Sequence, residues 1–308
     1  MKLAVVFPGQ GSQYENMGRD FYEQYEVSKE CYKLANRYCD LTMEELIFTT
    51  NPKLNQTRYT QIAMLANELA IWSVLKQEGV CPQGTAGLSL GEYAALVVSK
   101  SLSLEDAYAL VTKRGRYMEE AVPVGGAMTA ILGMDAQELY KLCIQEKGIV
   151  SIANYNCPEQ LVITGEIKAV QAVALRVKEE FGKKSIPLNV SGPFHSILLE
   201  EAGKKLEKDL ETISFSTIEV PYVSNVTGKY VQRQEEIPGL LVRQISQSVK
   251  WQQSVEQMIT DGFDTFLEVG PKTTLTGFLK KMNPNIQGYH IEKVKDLDEI
   301  LKKVRNGN

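Results

Sequence analysis

The segment Gly87-Leu88-Ser89-Leu90-Gly91 constrains the fold of this chain more than any other stretch of the sequence. Its glycine-x-serine-x-glycine pattern is typical of a sharp turn from a β-strand into an α-helix that presents the serine hydroxyl. Glycines are needed on both sides because the turn brings the backbones of strand and helix close together. The short stretch 84–86 before the turn and the apolar run 90–98 after it fit that interpretation. Ser89 is therefore a candidate nucleophile.

Apolar strand patterns that alternate with helical segments predict an α/β fold. Residues 3–7 and 265–269 are short apolar runs, each followed by a glycine and a proline, and strand patterns also cover 220–223 and 286–291. Helical periodicity covers 20–38, 60–78, 103–121, 237–248 and 251–260. Strands separated in this way pair mainly in parallel, with helices on both faces of the sheet. We therefore expect a large domain with a mainly parallel sheet.

The middle of the chain follows a different order. Strand patterns cover 127–134, 149–155, 161–164 and 184–190, and helical patterns cover 135–147 and 167–181. The resulting order, β-α-β-β-α-β, matches a ferredoxin-like unit. We therefore predict an inserted ferredoxin-like small domain at 124–190, with the large domain formed by residues 1–123 and 191–308.

Composition and charge exclude several classes of function. The chain of 308 residues has a formal net charge of −4, so it lacks the basic excess of a general nucleic-acid binder. Its five cysteines form no Cys-x-x-Cys pair and do not indicate a disulfide framework. No apolar run is long enough for a signal peptide or for a membrane span of about 20 residues. We therefore expect a cytoplasmic protein that binds neither nucleic acid nor membrane.

A serine hydroxyl is a poor nucleophile unless a base removes its proton, and the sequence has only two histidines. His195 lies in a loop with Gly192 and Pro193, a setting in which functional groups are often displayed. His290 lies in an alternating strand pattern, and with Asp264 it would follow the Ser…Asp…His order of α/β-hydrolases. Both histidines are candidate bases at this point.

One arginine falls on the apolar face of the helix predicted at 103–121. Arg114 lies three residues after Val111 and four before Met118, so it projects from the apolar stripe. A buried guanidinium needs an anion or strong hydrogen bonds, because an unpaired buried charge costs several kcal/mol. Arg114 therefore pairs either with an internal carboxylate or with a carboxylate of the substrate.

Six short motifs follow one another along nearly the whole chain. They are Phe7-Pro8-Gly9-Gln10-Gly11-Ser12-Gln13, Gly87–Gly91 followed by Glu92-Tyr93, Arg114-Gly115, Gly192-Pro193-Phe194-His195-Ser196, Asn225-Val226-Thr227-Gly228 and Glu268-Val269-Gly270-Pro271. As a set they resemble the malonyl-CoA:acyl carrier protein transacylases, which are acyltransferases of fatty-acid and polyketide synthesis. The resemblance also implies a hydrolase-like large domain with a ferredoxin-like small one.

The resemblance implies a catalytic role for five positions. Ser89 would be the nucleophile that becomes acylated, and His195 would be its base and later the acid for the leaving thiol. The backbone carbonyl of Gln244, rather than an aspartate, would orient the imidazole. The backbone N–H groups of Gln10 and Leu90 would form the oxyanion hole, for which a helix start is suited.

Four further positions would bind the substrate. By resemblance, Arg114 would pair with the free carboxylate of malonyl, and the bulky Phe194 would exclude the extra methyl of methylmalonyl, worth about 1–3 kcal/mol. Gln61 and Asn154 would line the pocket. The residue before the nucleophile, often histidine in this family, is Leu88 here, so we expect altered pocket polarity without loss of activity.

The sequence as a whole indicates an acyltransferase that moves a malonyl group from malonyl-CoA to acyl carrier protein through Ser89, as a monomer without metal or cofactor. The alternative is a serine esterase or thioesterase that uses His290, although no HGGG-type oxyanion loop supports it. A scaffolding protein that retains only the fold is a third interpretation. The Ser, His and Arg set argues against the last of these.

Overall fold

Strands and helices alternate along the chain. The computed structural model describes residues 1–122, 125–190 and 192–305. The strands are β1 (Leu3–Phe7), β2 (Gly84–Gly87), β3 (Gly126–Leu132), β4 (Val150–Cys157), β5 (Gln160–Glu166), β6 (Lys184–Pro187), β7 (Val223–Ser224), β8 (Lys229–Tyr230), β9 (Thr265–Val269) and β10 (Gln287–Ile291). The helices are α1 (Arg19–Gln24), α2 (Glu26–Ala35), α3 (Met43–Ile47), α4 (Thr57–Gln77), α5 (Gly91–Val98), α6 (Leu104–Ala121), α7 (Ala136–Gln145), α8 (Ile167–Phe181), α9 (Glu200–Leu210), α10 (Ile237–Ser246), α11 (Trp251–Thr260), α12 (Thr274–Met282) and α13 (Leu297–Arg305).

A parallel sheet with the strand order β10-β9-β1-β2 forms the centre of the larger part of the molecule. All its pairs are parallel, and every residue of β1 and β9 is buried, as expected when helices cover both faces. The predicted α/β fold with a parallel sheet is therefore confirmed. Phe7 lies opposite Gly87 in the register, so the loops that follow β1 and β2 begin side by side.

The helical periodicity predicts most helices well and one of them wrongly. The apolar segment 60–78 forms α4, which is buried over most of its length and packs against α2 and α6. The single helix predicted over 20–38 is instead two helices, α1 and α2. They are separated by Tyr25, whose backbone is extended (φ −126°, ψ 119°). Tyr25 packs against the core there, and its ring lies 5.9 Å from that of Phe21.

The middle of the chain forms a second, antiparallel sheet with the strand order β4-β5-β3-β6. Its elements run β3-α7-β4-β5-α8-β6, which is the order that the sequence predicts. A separate core between this sheet and its two helices contains side chains such as Leu139, Ile163 and Val173. The predicted domain boundaries fall at residues 123, 124 and 191, which lie outside the described residues.

Strand β4 connects this second sheet to the rest of the chain. The backbone N–H of Tyr155 donates to the carbonyl of Val249 at 2.9 Å, and the N–H of Val249 donates to the carbonyl of Ala153 at 2.8 Å. Asn154 is therefore fixed against the segment that precedes α11. Among the described ranges, none of the helices is both long and apolar enough to cross a membrane.

Removing a central side chain of the parallel sheet tests this fold. Phe266 on β9 is fully buried, so Phe266→Ala should destabilise the protein by about 3–5 kcal/mol through lost burial and the cavity left behind. Leu175→Ala on α8 is the control, because Leu175 is 53% exposed and should change stability by no more than about 0.5 kcal/mol. Urea denaturation followed by circular dichroism measures both, and equal midpoints would contradict the assigned core.

Candidate active site

Ser89 lies at the tip of the turn between β2 and α5 in a strained backbone conformation. Its φ is +54°, in the left-handed region that residues with a side chain rarely adopt. The two glycines of the turn are required by close packing. A Cβ on Gly87 would lie 1.9 Å from the carbonyl carbon of Gly91, and a Cβ on Gly91 would lie 2.3 Å from the carbonyl oxygen of Phe7. The turn therefore depends on both glycines.

The fully buried side chain of Asn225 holds this turn from outside the motif. Its Oδ1 accepts a hydrogen bond from the backbone N–H of Ser89 at 2.6 Å, and its Nδ2 donates to the carbonyl of Gly87 at 2.6 Å. One amide thus satisfies two backbone groups of the strained turn. Asn225 is 136 residues away in sequence, in the turn after β7.

His195 is the histidine that contacts the serine. Its Nε2 lies 2.8 Å from Ser89 Oγ, and its Nδ1 lies 2.7 Å from the main-chain carbonyl of Gln244. Because a carbonyl can only accept, Nδ1 carries the proton and Nε2 is left to accept from the serine hydroxyl. Burial, helped by the charge of Arg114, lowers the pKa of His195 from 6.5 to about 4. The imidazole is therefore neutral at neutral pH and can act as a base.

His290 and Asp264 lie in other surroundings. His290 Nε2 is 2.9 Å from the carbonyl of Gly270, and Asp264 accepts a hydrogen bond from the backbone N–H of Lys2 at 2.9 Å. The structure therefore brings His195, and not His290, to the candidate nucleophile.

The guanidinium of Arg114 is fully buried and points at Ser89. Its Nη2 donates to Ser89 Oγ at 3.1 Å and to Gln244 Oε1 at 3.0 Å, while Nη1 donates to Gln61 Oε1 at 2.7 Å. In the part of the chain that the structure describes, no carboxylate forms an ion pair with it. Burial lowers the pKa of Arg114, although a guanidinium remains charged at neutral pH. A cation held by neutral oxygens is thus available to a ligand carboxylate.

A pocket of about 180 Å³ opens at this point between the two sheets. Its wall includes the predicted substrate-binding residues Arg114, Phe194, Gln61 and Asn154, together with Leu88 and apolar side chains. Besides Ser89, His195, Gln10 and Leu90, the other residues of the wall are Met118, Met128, Asn156, Val162, Leu188, Val190, Thr274 and Phe278. The position of every predicted binding residue is therefore consistent with one small, partly apolar cavity.

The two backbone N–H groups predicted to stabilise an oxyanion border the same pocket. Gln10 follows β1, and Leu90 directly precedes α5, where an N–H lacks a helical partner. Neither N–H makes a hydrogen bond to the residues that the structure describes. The side chain of Gln10 is fixed by donation to Thr57 Oγ1 at 3.1 Å. Both donors are thus available to a ligand oxygen near Ser89.

Three features of the site were not predicted from the sequence. These are the clamp by Asn225, the hydrogen bond that Arg114 donates to the side chain of Gln244, and the buried carboxyl of Glu92. Asn225 and Glu92 both lie within the six motifs quoted above, and this was the only indication in the sequence that they belong to the site. Within the described residues, no group of three or more His, Cys, Asp and Glu side chains is placed to hold a metal ion.

Comparison with known proteins identifies the family of this chain. The family model of the acyl transferase domain matches residues 4–295. The malonyl CoA-acyl carrier protein transacylase of Bacillus subtilis (strain 168) is 38% identical over 312 residues, covering 100% of this chain and 98% of the relative. The crystal structure of the transacylase of that name from Clostridium perfringens ATCC 13124 superposes with a TM-score of 0.95 at 39% identity. That match covers 100% of this chain and 98% of the other.

A second solved structure is a complex. A malonyl-transacylase bound to its type II PKS acyl-carrier protein has a TM-score of 0.95 at 36% identity, over 98% of this chain and 100% of that one. These matches show that the protein is an acyltransferase. The chain belongs to the malonyl CoA-acyl carrier protein transacylases of the acyl transferase family.

The low pKa of His195 leads to a prediction about pH. Ser89 should react with a fluorophosphonate probe at rates that differ by less than about twofold between pH 8 and pH 5.5, because His195 stays neutral until the pH approaches 4. A histidine with the ordinary pKa of about 6.5 would lose about tenfold over that range. Labelling measured by mass spectrometry, with Ser89→Ala as background, distinguishes the two. An acid limb near pH 6.5 would contradict the assigned environment.

Proposed function

We propose that this protein transfers a malonyl group from malonyl-CoA to the phosphopantetheine thiol of acyl carrier protein. The intermediate would be a malonyl ester on Ser89. The observation that carries the proposal is the buried guanidinium of Arg114, which donates to Ser89 Oγ and forms no ion pair within the described residues. An acyl group on Ser89 with its own carboxylate would supply the missing anion. The relatives named malonyl CoA-acyl carrier protein transacylase support the same substrate and partner.

In the first half-reaction, Ser89 Oγ attacks the thioester carbonyl carbon while His195 Nε2 takes the hydroxyl proton. The carbonyl oxygen becomes an oxyanion between the N–H groups of Gln10 and Leu90. Each such donor typically contributes about 3 kcal/mol to the transition state. When the carbon–sulfur bond breaks, His195 returns the proton to the sulfur of CoA. The products are malonyl-Ser89 and free CoA.

The second half-reaction runs through the same groups in reverse. The phosphopantetheine thiol gives its proton to His195, and its sulfur attacks the ester carbon of malonyl-Ser89. Collapse of the tetrahedral intermediate releases the malonyl thioester and returns the proton to Ser89 Oγ. Gln244 acts throughout by holding Nδ1–H of His195 with its main-chain carbonyl. No aspartate is needed in this dyad.

Substrate choice would follow from the pocket walls. The carboxylate of malonyl can take the place of Ser89 Oγ as an acceptor and form a bidentate pair with Arg114, whereas acetyl brings no anion to the guanidinium. Phe194 would leave little room for a methyl branch, and Gln61 and Asn154 would contact the acyl chain or its carrier arm.

We also propose that residues 1–123 and 191–308 form a hydrolase-like large domain and that 124–190 form a ferredoxin-like small domain. The strand order β4-β5-β3-β6 and the two helices on one face support the latter. Ser89 and Arg114 would belong to the large domain and Asn154 to the small one, so substrate would bind between them. The cytoplasmic location, the monomeric state and the lack of nucleic-acid binding stay predictions from the sequence.

The covalent intermediate can be tested by intact mass spectrometry after mixing with malonyl-CoA. The native protein should gain one malonyl group, Ser89→Ala should gain none, and His195→Ala should form the adduct about 100- to 10,000-fold more slowly, because the base is lost. His290→Ala is the matched control and should acylate at the native rate. Loss of acylation in His290→Ala but not in His195→Ala would favour the esterase alternative.

The role of Arg114 has a separate test. Arg114→Ala should lower kcat/KM for malonyl-CoA by about 30-fold or more, as expected for the loss of a buried charged partner, and change that for acetyl-CoA by less than about threefold. Arg116→Ala is the control, because Arg116 is exposed on the same helix. An unchanged ratio of malonyl to acetyl transfer in Arg114→Ala would show that this arginine is only structural.

A further inference from the structure

The side chain of Gln244 is the centre of a hydrogen-bond network behind the catalytic dyad. Its Oε1 accepts from Arg114 Nη2 at 3.0 Å, and its Nε2 donates to the main-chain carbonyl of Ser89 at 2.9 Å and to Glu92 Oε2 at 2.5 Å. The main-chain carbonyl of the same residue holds His195. Gln244 is fully buried and thus contacts the side chains of Arg114 and His195 and the backbone of Ser89.

The orientation of this amide decides what Arg114 meets. A guanidinium is only a donor, so it is satisfied by Oε1 of Gln244 and repelled by the NH2 end. With the amide turned over, two donors would face each other beside Ser89, where the side chains of Arg114 and Gln244 are both fully buried. The acceptors on the opposite side of the amide therefore determine whether Arg114 keeps its position.

Glu92 is one of those two acceptors, and the reaction as described above does not use it. It lies in the first turn of α5, three residues after Ser89, and is 1% exposed. Oε2 also accepts from the backbone N–H of Asn225 at 3.3 Å, so the carboxyl joins the clamp of the turn to Gln244. Burial raises the pKa of Glu92 to about 7, against the opposing effect of the hydrogen bonds from Gln244 and Asn225.

We propose that Glu92 is a positioning residue: its carboxyl fixes the side-chain amide of Gln244, and that amide holds Arg114 in the orientation that receives the substrate carboxylate. This inference rests on the proposed malonyl transfer. Glu92 itself touches neither the acyl group nor the reacting atoms. Its effect should therefore appear in the preference for malonyl over acetyl, more than in the chemistry common to both.

The test compares kcat/KM for malonyl-CoA and for acetyl-CoA. Glu92→Met removes the acceptor at nearly constant length and leaves a buried N–H of Gln244 unsatisfied. It should lower the malonyl:acetyl ratio by about tenfold. Gln244→Leu removes the amide but keeps the main-chain carbonyl that holds His195, and it should lower the ratio by about the same factor. Glu92→Gln, whose amide oxygen can still accept, should stay within about threefold of the native ratio.

The double variant shows whether the two residues act along one route. Because Glu92 works through the amide of Gln244, Glu92→Met combined with Gln244→Leu should lower the ratio by about tenfold, not by the product of about a hundredfold. Multiplied losses, or equal losses for malonyl and acetyl in Glu92→Met, would overturn the proposal. If circular dichroism shows that Glu92→Met does not fold, Gln244→Leu alone provides the test. An unchanged malonyl:acetyl ratio in Gln244→Leu would then overturn the proposal.

The same assay separates this inference from the function on which it rests. A native protein that transfers neither acyl group would overturn the proposed function. A native protein that prefers malonyl, with a ratio that survives Glu92→Met in folded protein, would overturn only the positioning role of Glu92.

Discussion

The charge of Arg114, buried among neutral oxygens, is the interaction on which the rest of the site depends. Gln61, Gln244 and Ser89 accept hydrogen bonds from its two terminal nitrogens without neutralising it, so a positive potential remains beside the nucleophile. That potential helps to lower the pKa of His195, which keeps the base neutral, and it favours an acyl group with a negative end. In the proposed reaction, one buried cation would thereby affect both the proton transfer and the choice of substrate.

The parallel sheet explains how these groups come together. β1 and β2 are neighbours, so the loops that carry Gln10 and Ser89 leave the sheet at the same edge. The strained turn at Ser89 is stabilised by Asn225 and by two glycines that allow strand and helix to touch. Strain of this kind persists only where the surrounding structure supports it. The position of the hydroxyl is therefore a property of the whole sheet and its connections.

Local patterns in the sequence predicted the elements well, because hydrophobic period and turn residues act over short distances. The face of α6 that carries Arg114 and the order of elements from β3 to β6 are examples. The break at Tyr25 was missed, since the helical pattern continues through it. Contacts such as those of Asn225 with Ser89 and Gln244 with Glu92 join residues 136 and 152 positions apart, and no local pattern encodes such distances. The resemblance to a family indicated which residues to expect in the site, but not which hydrogen bonds their side chains form with one another.

The most direct test of this account is a crystal structure of the protein acylated by malonyl-CoA in the absence of an acceptor thiol. We expect both carboxylate oxygens of malonyl-Ser89 within about 3 Å of the Arg114 nitrogens, in place of Ser89 Oγ. The ester carbonyl oxygen should lie between the N–H groups of Gln10 and Leu90. An acyl group whose carboxylate points into solvent, with Arg114 still bound only to Gln61 and Gln244, would contradict the account.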